Sequence, residues 1–146
     1  MSLSKKGKLA EELVTSIFSD MGYIVELAKP LGAEDKKQYA DIIAVGPDKA
    51  FIIELKTGRE TGSSDVMQMR SYVEAAQHLG LLEEKRIEGI IITGPGTLVP
   101  AQNLSREWGI KIIEAKKNSE IKENLQEYLS EQTGVHFPSH TRSRTL

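Results

Sequence analysis

The chain has 146 residues, enough for one domain with a sizeable hydrophobic core. Hydrophobic residues make up 39% and charged residues 27%, the balance of an ordinary globular protein, and a net charge of −2 offers no bulk attraction to a polyanion. Cysteine is absent, which excludes disulfides, thiolate catalysis and cysteine metal sites and agrees with a cytoplasmic location.

Residues 4–21 have the periodicity of an amphipathic helix, with Leu9, Leu13, Ile17 and Met21 on one stripe, Val14 and Phe18 beside it, and Ser4 as a cap. Gly22 ends this helix, and YIVELA predicts a first strand. The polar stretch 29–38, with Pro30 and Gly32, reads as a loop. ADIIAV and AFIIELK then form two strands around a GPDK turn, and TGRETGSS is expected to be a flexible loop. Ser63 or Ser64 is placed to cap a helix running to about residue 80. EGIIIT is a buried strand and GPGT a strand-to-helix turn without the Lys-Ser/Thr of a phosphate loop. Thr97 is placed to cap a helix through Trp108, Gly109 stops it, IKIIEA is the last strand, and residues 118–132 are a final helix. The tail from Thr133 has no periodicity and is expected to be flexible, leaving one domain over residues 1–132.

The order is α-β-β-β-α-β-α-β-α. Short connections make the first three strands an antiparallel meander, and helical crossovers make the later strands parallel to a neighbour. The expectation is an α/β protein with a mixed central sheet flanked by helices on both faces. No apolar run approaches the roughly 18 residues of a spanning helix, and the N-terminal stretch lacks an apolar signal core, so neither membrane nor export is expected. Basic residues cluster at Lys5, Lys6 and Lys8, at Lys36 and Lys37, and at Arg142 and Arg144, a pattern common on solvated surfaces. His78, His136 and His140 lack metal-ligand spacing, and Trp108 is expected to pack.

The hairpin carries the chemistry. Paired with Val45 opposite Ala50, it sets Asp41 opposite Glu54, and opposed residues have Cβ atoms only about 4.5–5.5 Å apart. Lys56 points to the same face as Glu54, because side chains alternate along a strand. The other face (Ala40, Ile42, Ala44, Phe51, Ile53, Leu55) is wholly apolar. Like charges directly opposite destabilise a sheet. Two arrangements relieve them: a divalent cation bound by hard carboxylate oxygens, or an ion-pair cluster in which Lys56 bridges both acids. The spacing admits both.

Asp41, twelve residues, then Glu54-Leu55-Lys56 within an αβββαβ order resembles the PD-(D/E)XK, or restriction-endonuclease-like, nuclease superfamily. Ala40 stands where the proline of that name would be. Gly7 and Glu11 in KKGKLAEELVTSIFSDMGYIVE match the opening helix of archaeal Holliday junction resolvases, and GIIITGPGTLVPAQNLSREWGIKIIE is similar to the closing strand-helix-strand of those resolvases and of Mrr-type nucleases. Gln68 and Tyr72 form a QxxxY pair like that of RecB-type nuclease domains. The likeness covers roughly residues 5 to 115.

The resemblance implies a metal-dependent DNA endonuclease of junction-resolvase or Mrr-like restriction or repair type. Asp41, Glu54, the Leu55 carbonyl and Glu11 would hold Mg²⁺ or Mn²⁺, with Glu12 competing for the role of Glu11. The ion would acidify water and stabilise the leaving oxygen, while Lys56 orients that water and offsets charge on the phosphate. Gln68 and Tyr72, on one helix face, bind phosphate or brace Lys56, unless Tyr72 is simply core. Lys36, Lys37 and Arg59, in loops flanking the site, would contact the DNA backbone. By the same analogy the chain is a homodimer. The alternatives are a non-cleaving DNA-binding module on this fold and an α/β protein with an ion-pair cluster unrelated to nucleic acid.

Overall fold

The computed structural model describes residues 5–31, 38–78, 82 and 84–133. Lys36 and Lys37, the cap Ser4, residues 32–37 of the first polar loop, His136, His140, Arg142, Arg144 and the tail beyond Thr133 lie outside the described residues. The elements are α1 (Lys5–Asp20), β1 (Ile24–Leu31), β2 (Gln38–Val45), β3 (Lys49–Lys56), α2 (Ser63–Ala76), β4 (Arg86–Thr93), α3 (Val99–Trp108), β5 (Lys111–Glu114) and α4 (Asn118–Thr133). Their order is the one expected from the sequence.

One five-stranded sheet holds the strands in the order β1-β2-β3-β4-β5. β1, β2 and β3 pair antiparallel, and β3, β4 and β5 pair parallel. The tight GPDK turn fixes the hairpin register, and Val45 does face Ala50, followed by Ala44 with Phe51, Ile43 with Ile52 and Ile42 with Ile53. α1 and α4 cover one face, where Val14, Phe18, Ile42, Phe51, Ile53, Leu125 and Leu129 form a core. α2 and α3 cover the other, over Ile43, Ile52, Val66, Met69, Ile91 and Ala101. With both faces covered, β3 is buried along nearly its whole length, which is why its sequence is a near-continuous apolar run.

Four local expectations change. Lys29, Pro30, Leu31 and Gln38, expected in the polar loop, are strand, because β1 and β2 pair out to Leu31 and Gln38. The buried stripe of α1 is Ala10, Val14, Ile17 and Phe18, while Leu13 and Met21 are half-buried at its flank and Leu9 is 50% exposed. Phe18 decides the rotation: its ring centroid lies 5.4 Å from that of Phe51 and 5.7 Å from that of Tyr23, so the largest side chain docks and Leu9 turns outward. The N-cap of α2 is Gly62, not a serine; the Asp65 carboxylate accepts the Gly62 N–H at 2.9 Å and meets the unsatisfied helix start from inside the first turn. α3 begins one residue after Leu98, with Pro100 in its first turn and Thr97 outside it. It ends as expected at Gly109, whose φ of 70° lies in the left-handed region that glycine adopts without a Cβ penalty.

α2 is seated against β4 by a close approach. A Cβ on Gly89 would lie 2.6 Å from Met69 Cγ, so only the missing side chain lets the helix come down onto the strand. That contact fixes the height of Asp65 and Tyr72 above the end of β3.

Candidate active site

The β2–β3 pairing stops at Ile42 and Ile53. One step further along, side chains replace the backbone ladder. Glu54 Oε2 accepts the Asp41 N–H at 2.7 Å, and Asp41 Oδ2 accepts the Leu55 N–H at 3.0 Å. The two acids therefore meet, but just past the end of the backbone ladder rather than as a regular cross-strand pair, and each is locked by a main-chain donor of the opposite strand. Glu54 is 6% exposed. Burial, then the Asp41 charge, raises its pKa to about 8, against the opposing pull of the Asp41 amide and Lys56.

Each acid spends one oxygen on an amide, which leaves Asp41 Oδ1 and Glu54 Oε1. The Leu55 N–H points towards β2, and the carbonyl of a strand residue shares the edge of its N–H. That carbonyl therefore faces the same gap, whereas the next one, of Lys56, accepts the Gly94 N–H on the β4 side at 3.1 Å. This donor set is hard oxygen throughout and suits Mg²⁺ or Mn²⁺. Glu11 on α1 approaches from the other side: its pKa is raised by burial and then by the Asp41 charge, with Lys8 opposing. Glu12 is exposed. Among the described residues no group of three acids or histidines gathers into a preformed metal cage, so the site is a carboxylate pair with Glu11 nearby.

Lys56 does not bridge the two acids. Its ion pair among the described residues is with Asp65, at 3.5 Å. Asp65 is 4% exposed and also takes both ends of the Arg59 guanidinium, at 2.8 Å each. Burial pushes the Asp65 carboxyl up, but Arg59, the Gly62 amide and Lys56 outweigh it and hold the pKa below its ordinary value. Asp65 was not anticipated from the sequence; the available signal was an acid three residues after a glycine at a helix start. The loop 57–62, expected to be flexible, is tied down. Arg59 is clasped by Asp65, and Thr61 pairs with Thr97 through Thr61 N–H to Gly96 O and Leu98 N–H to Thr61 O. Arg59 remains 64% exposed on its outer side.

On α2, Tyr72 is buried within the core between that helix and the sheet. Burial, then the charges of Glu54 and Asp41, pushes its phenol up to about 12. Gln68, one turn earlier, is exposed. Trp108 packs as expected, with the Arg70 guanidinium 4.2 Å from its ring centroid, and His78 is exposed away from any cluster of acids. A second unanticipated feature is Lys116-Lys117, just after β5, on the rim of a groove of about 460 Å³ that Leu55 and Thr57 also line. Among the described residues, no helix is long and apolar enough to cross a membrane.

No protein-family model and no curated protein matches the chain. Solved structures do. A repair endonuclease from Pyrococcus abyssi is 18% identical with a TM-score of 0.58, over 80% of this chain and 49% of that one. EndoMS in a double-stranded DNA complex is 20% identical with a TM-score of 0.52, over 80% and 47%. The protein VC1899 from Vibrio cholerae is 20% identical with a TM-score of 0.59, over 86% and 32%. The chain spans about half the length of the Pyrococcus abyssi repair endonuclease and of EndoMS. What these likenesses establish is the architecture: an αβββαβ core of restriction-endonuclease-like fold, its sheet flanked by helices on both faces.

Proposed function

We propose that the chain is a metal-dependent DNA endonuclease that hydrolyses phosphodiester bonds, of junction-resolvase or Mrr-like restriction or repair type. One observation carries the reading: Asp41 and Glu54 are locked face to face by each other's strand, with Lys56 two residues beyond on the same strand. A structural ion pair gains nothing from opposing two acids, whereas a cation site needs them. That two solved structures sharing the fold are a repair endonuclease and EndoMS in a DNA complex supports it.

Asp41 Oδ1, Glu54 Oε1 and the Leu55 carbonyl would hold Mg²⁺ or Mn²⁺, with Glu11 as a further oxygen donor. When bound, the ion supplies polarisation of the phosphodiester and acidification of the attacking water. Burial and the Asp41 charge favour a proton on Glu54 near neutral pH, and holding a cation there would require its release. Lys56 Nζ orients the water and donates to the phosphate oxygen that gains charge, and Asp65 fixes where that ammonium sits. Tyr72 closes the side facing α2 with a phenol that stays protonated. Gln68 offers its amide to the phosphate from one turn away, and Lys36, Lys37 and Arg59 lend salt-sensitive contacts to the backbone. A homodimer would present two such sites to two strands.

Plasmid, linear, single-stranded and four-way-junction DNA incubated with Mg²⁺ or Mn²⁺, against EDTA, test the proposal; cleavage of at least one with metal alone is the expected result. A second reading is the non-cleaving DNA-binding module. It is favoured by the hold of Asp65 on both Lys56 and Arg59, which competes with phosphate for both cations. Binding of DNA without cleavage in either metal would select it.

A further inference from the structure

The groove between α1, α4 and the ends of β3 to β5 is lined by neither carboxylate, yet it begins at the residue between Glu54 and Lys56. Leu55 belongs to both: its N–H bonds to Asp41, and its side chain floors the groove with Ile92 and Ile121. Thr57, Lys116 and Lys117 form the rim. The volume, about 460 Å³, is that of a small-ligand site. Glu120 Oε1 accepts the N–H of Lys116 at 2.7 Å and of Lys117 at 3.2 Å, so these two amides ahead of α4 are spent. What Lys116 and Lys117 offer an anion is their ammonium groups. Both residues are exposed, and among the described residues neither has an ion-pair partner.

An apolar floor bounded on one side by a cationic rim fits a molecule with a flat, weakly polar body and an anionic end. We propose that this groove is a nucleotide subsite: it takes one base of the substrate strand against Leu55, Ile92 and Ile121, with its phosphate at Lys116 and Lys117. The strand thereby crosses the end of β3 from the carboxylates to α4. As a part of the substrate path the subsite rests on the nuclease reading; as a binding site it is testable apart from it.

Gly94 provides the means. It lines the groove, and a Cβ there would meet only Ala115 O at 3.7 Å, so Gly94→Phe fills the space without displacing backbone. Amide resonances are followed while 5′-dAMP, deoxyadenosine or inorganic phosphate is titrated into the protein in EDTA. The expected result is saturable dAMP binding centred on Thr57, Gly94 and Lys117 and at least tenfold tighter than phosphate. Gly94→Phe should abolish it, and Lys116→Ala/Lys117→Ala should weaken it about tenfold, the worth of a lost charge-assisted contact. The lysine pair is exposed, so that variant decides the matter even if Gly94→Phe fails to fold. Phosphate binding as tightly as dAMP, or dAMP binding indifferent to the lysine pair, overturns the subsite. Absence of dAMP binding in a protein that still cuts DNA removes the groove and leaves the nuclease reading standing. Binding without cleavage does the reverse.

Discussion

The proton on Glu54 should make the metal-free protein less stable as pH rises, and Glu54→Gln should remove that dependence. An ordinary glutamate titrates near 4.5, and this one near 8. Because the folded state holds the proton more tightly, the stabilisation is complete below pH 4.5, declines between 4.5 and 8, and is gone above. At about 1.4 kcal/mol per pH unit the whole window is worth on the order of 5 kcal/mol, and the interval from pH 5.5 to 7.5 roughly 2–3 kcal/mol. That is a sizeable share of the ~5–15 kcal/mol that holds a domain together. Glutamine keeps an oxygen for the Asp41 N–H and has no proton to lose. Urea unfolding in EDTA at pH 5.5, 6.5 and 7.5 measures the effect: wild type should lose stability across the series by that amount more than the variant. Mn²⁺ should reverse the wild-type trend, since a cation replaces the proton and stabilises by mass action. Parallel slopes for wild type and Glu54→Gln in EDTA would refute the account of a buried acid that holds its proton.

Three further outcomes are expected. Lys56→Ala should retain the fold and most Mn²⁺ binding by calorimetry but cut DNA slower by about 10²-fold or more, whereas Asp41→Ala should lose both; equal Mn²⁺ binding by Asp41→Ala and wild type would move the metal elsewhere. Asp65→Ala removes the bond to the Gly62 amide and both cation contacts, so it should cost about 1–3 kcal/mol and release the 57–62 loop, read as faster tryptic cleavage after Arg59; an unchanged cleavage rate would mean the Thr61–Thr97 pairing holds the loop alone. Gly89→Val should cost about 1–3 kcal/mol in urea unfolding, because its Cβ starts 2.6 Å from Met69 Cγ; a neutral substitution would show that α2 slides freely on β4.

The hairpin was legible because its turn is short and its inner faces are apolar, so one register pairs Val45 with Ala50 through Ile42 with Ile53 and leaves Asp41 and Glu54 one step beyond the ladder. The rotation of α1 was less legible. Two overlapping apolar stripes fit the helix, and the choice between them is made by Phe51 and Tyr23, residues far along the chain from Leu9. Asp65 escaped notice for a similar reason: an acid in a first turn is ordinary, and what distinguishes this one is its burial beneath Arg59 and Lys56, which only the seating of α2 on Gly89 produces. Lys116 and Lys117 form a short pair in a charged stretch, and nothing in the sequence tells that β5 delivers them beside the end of β3.

The strand order β1-β2-β3-β4-β5 repeats the order of the chain. Every strand is laid beside the one made just before it, but only β2 and β3 are joined by a tight hairpin turn; β4 and β5 add in parallel through helical crossovers whose long loops must close, the slower kind of pairing. Asp41 to Lys56 lies wholly within that hairpin. The carboxylate pair is thus carried by the most local piece of the fold, and α2, a separate element, covers that face. A covering helix can vary its outer face without disturbing the residues it covers.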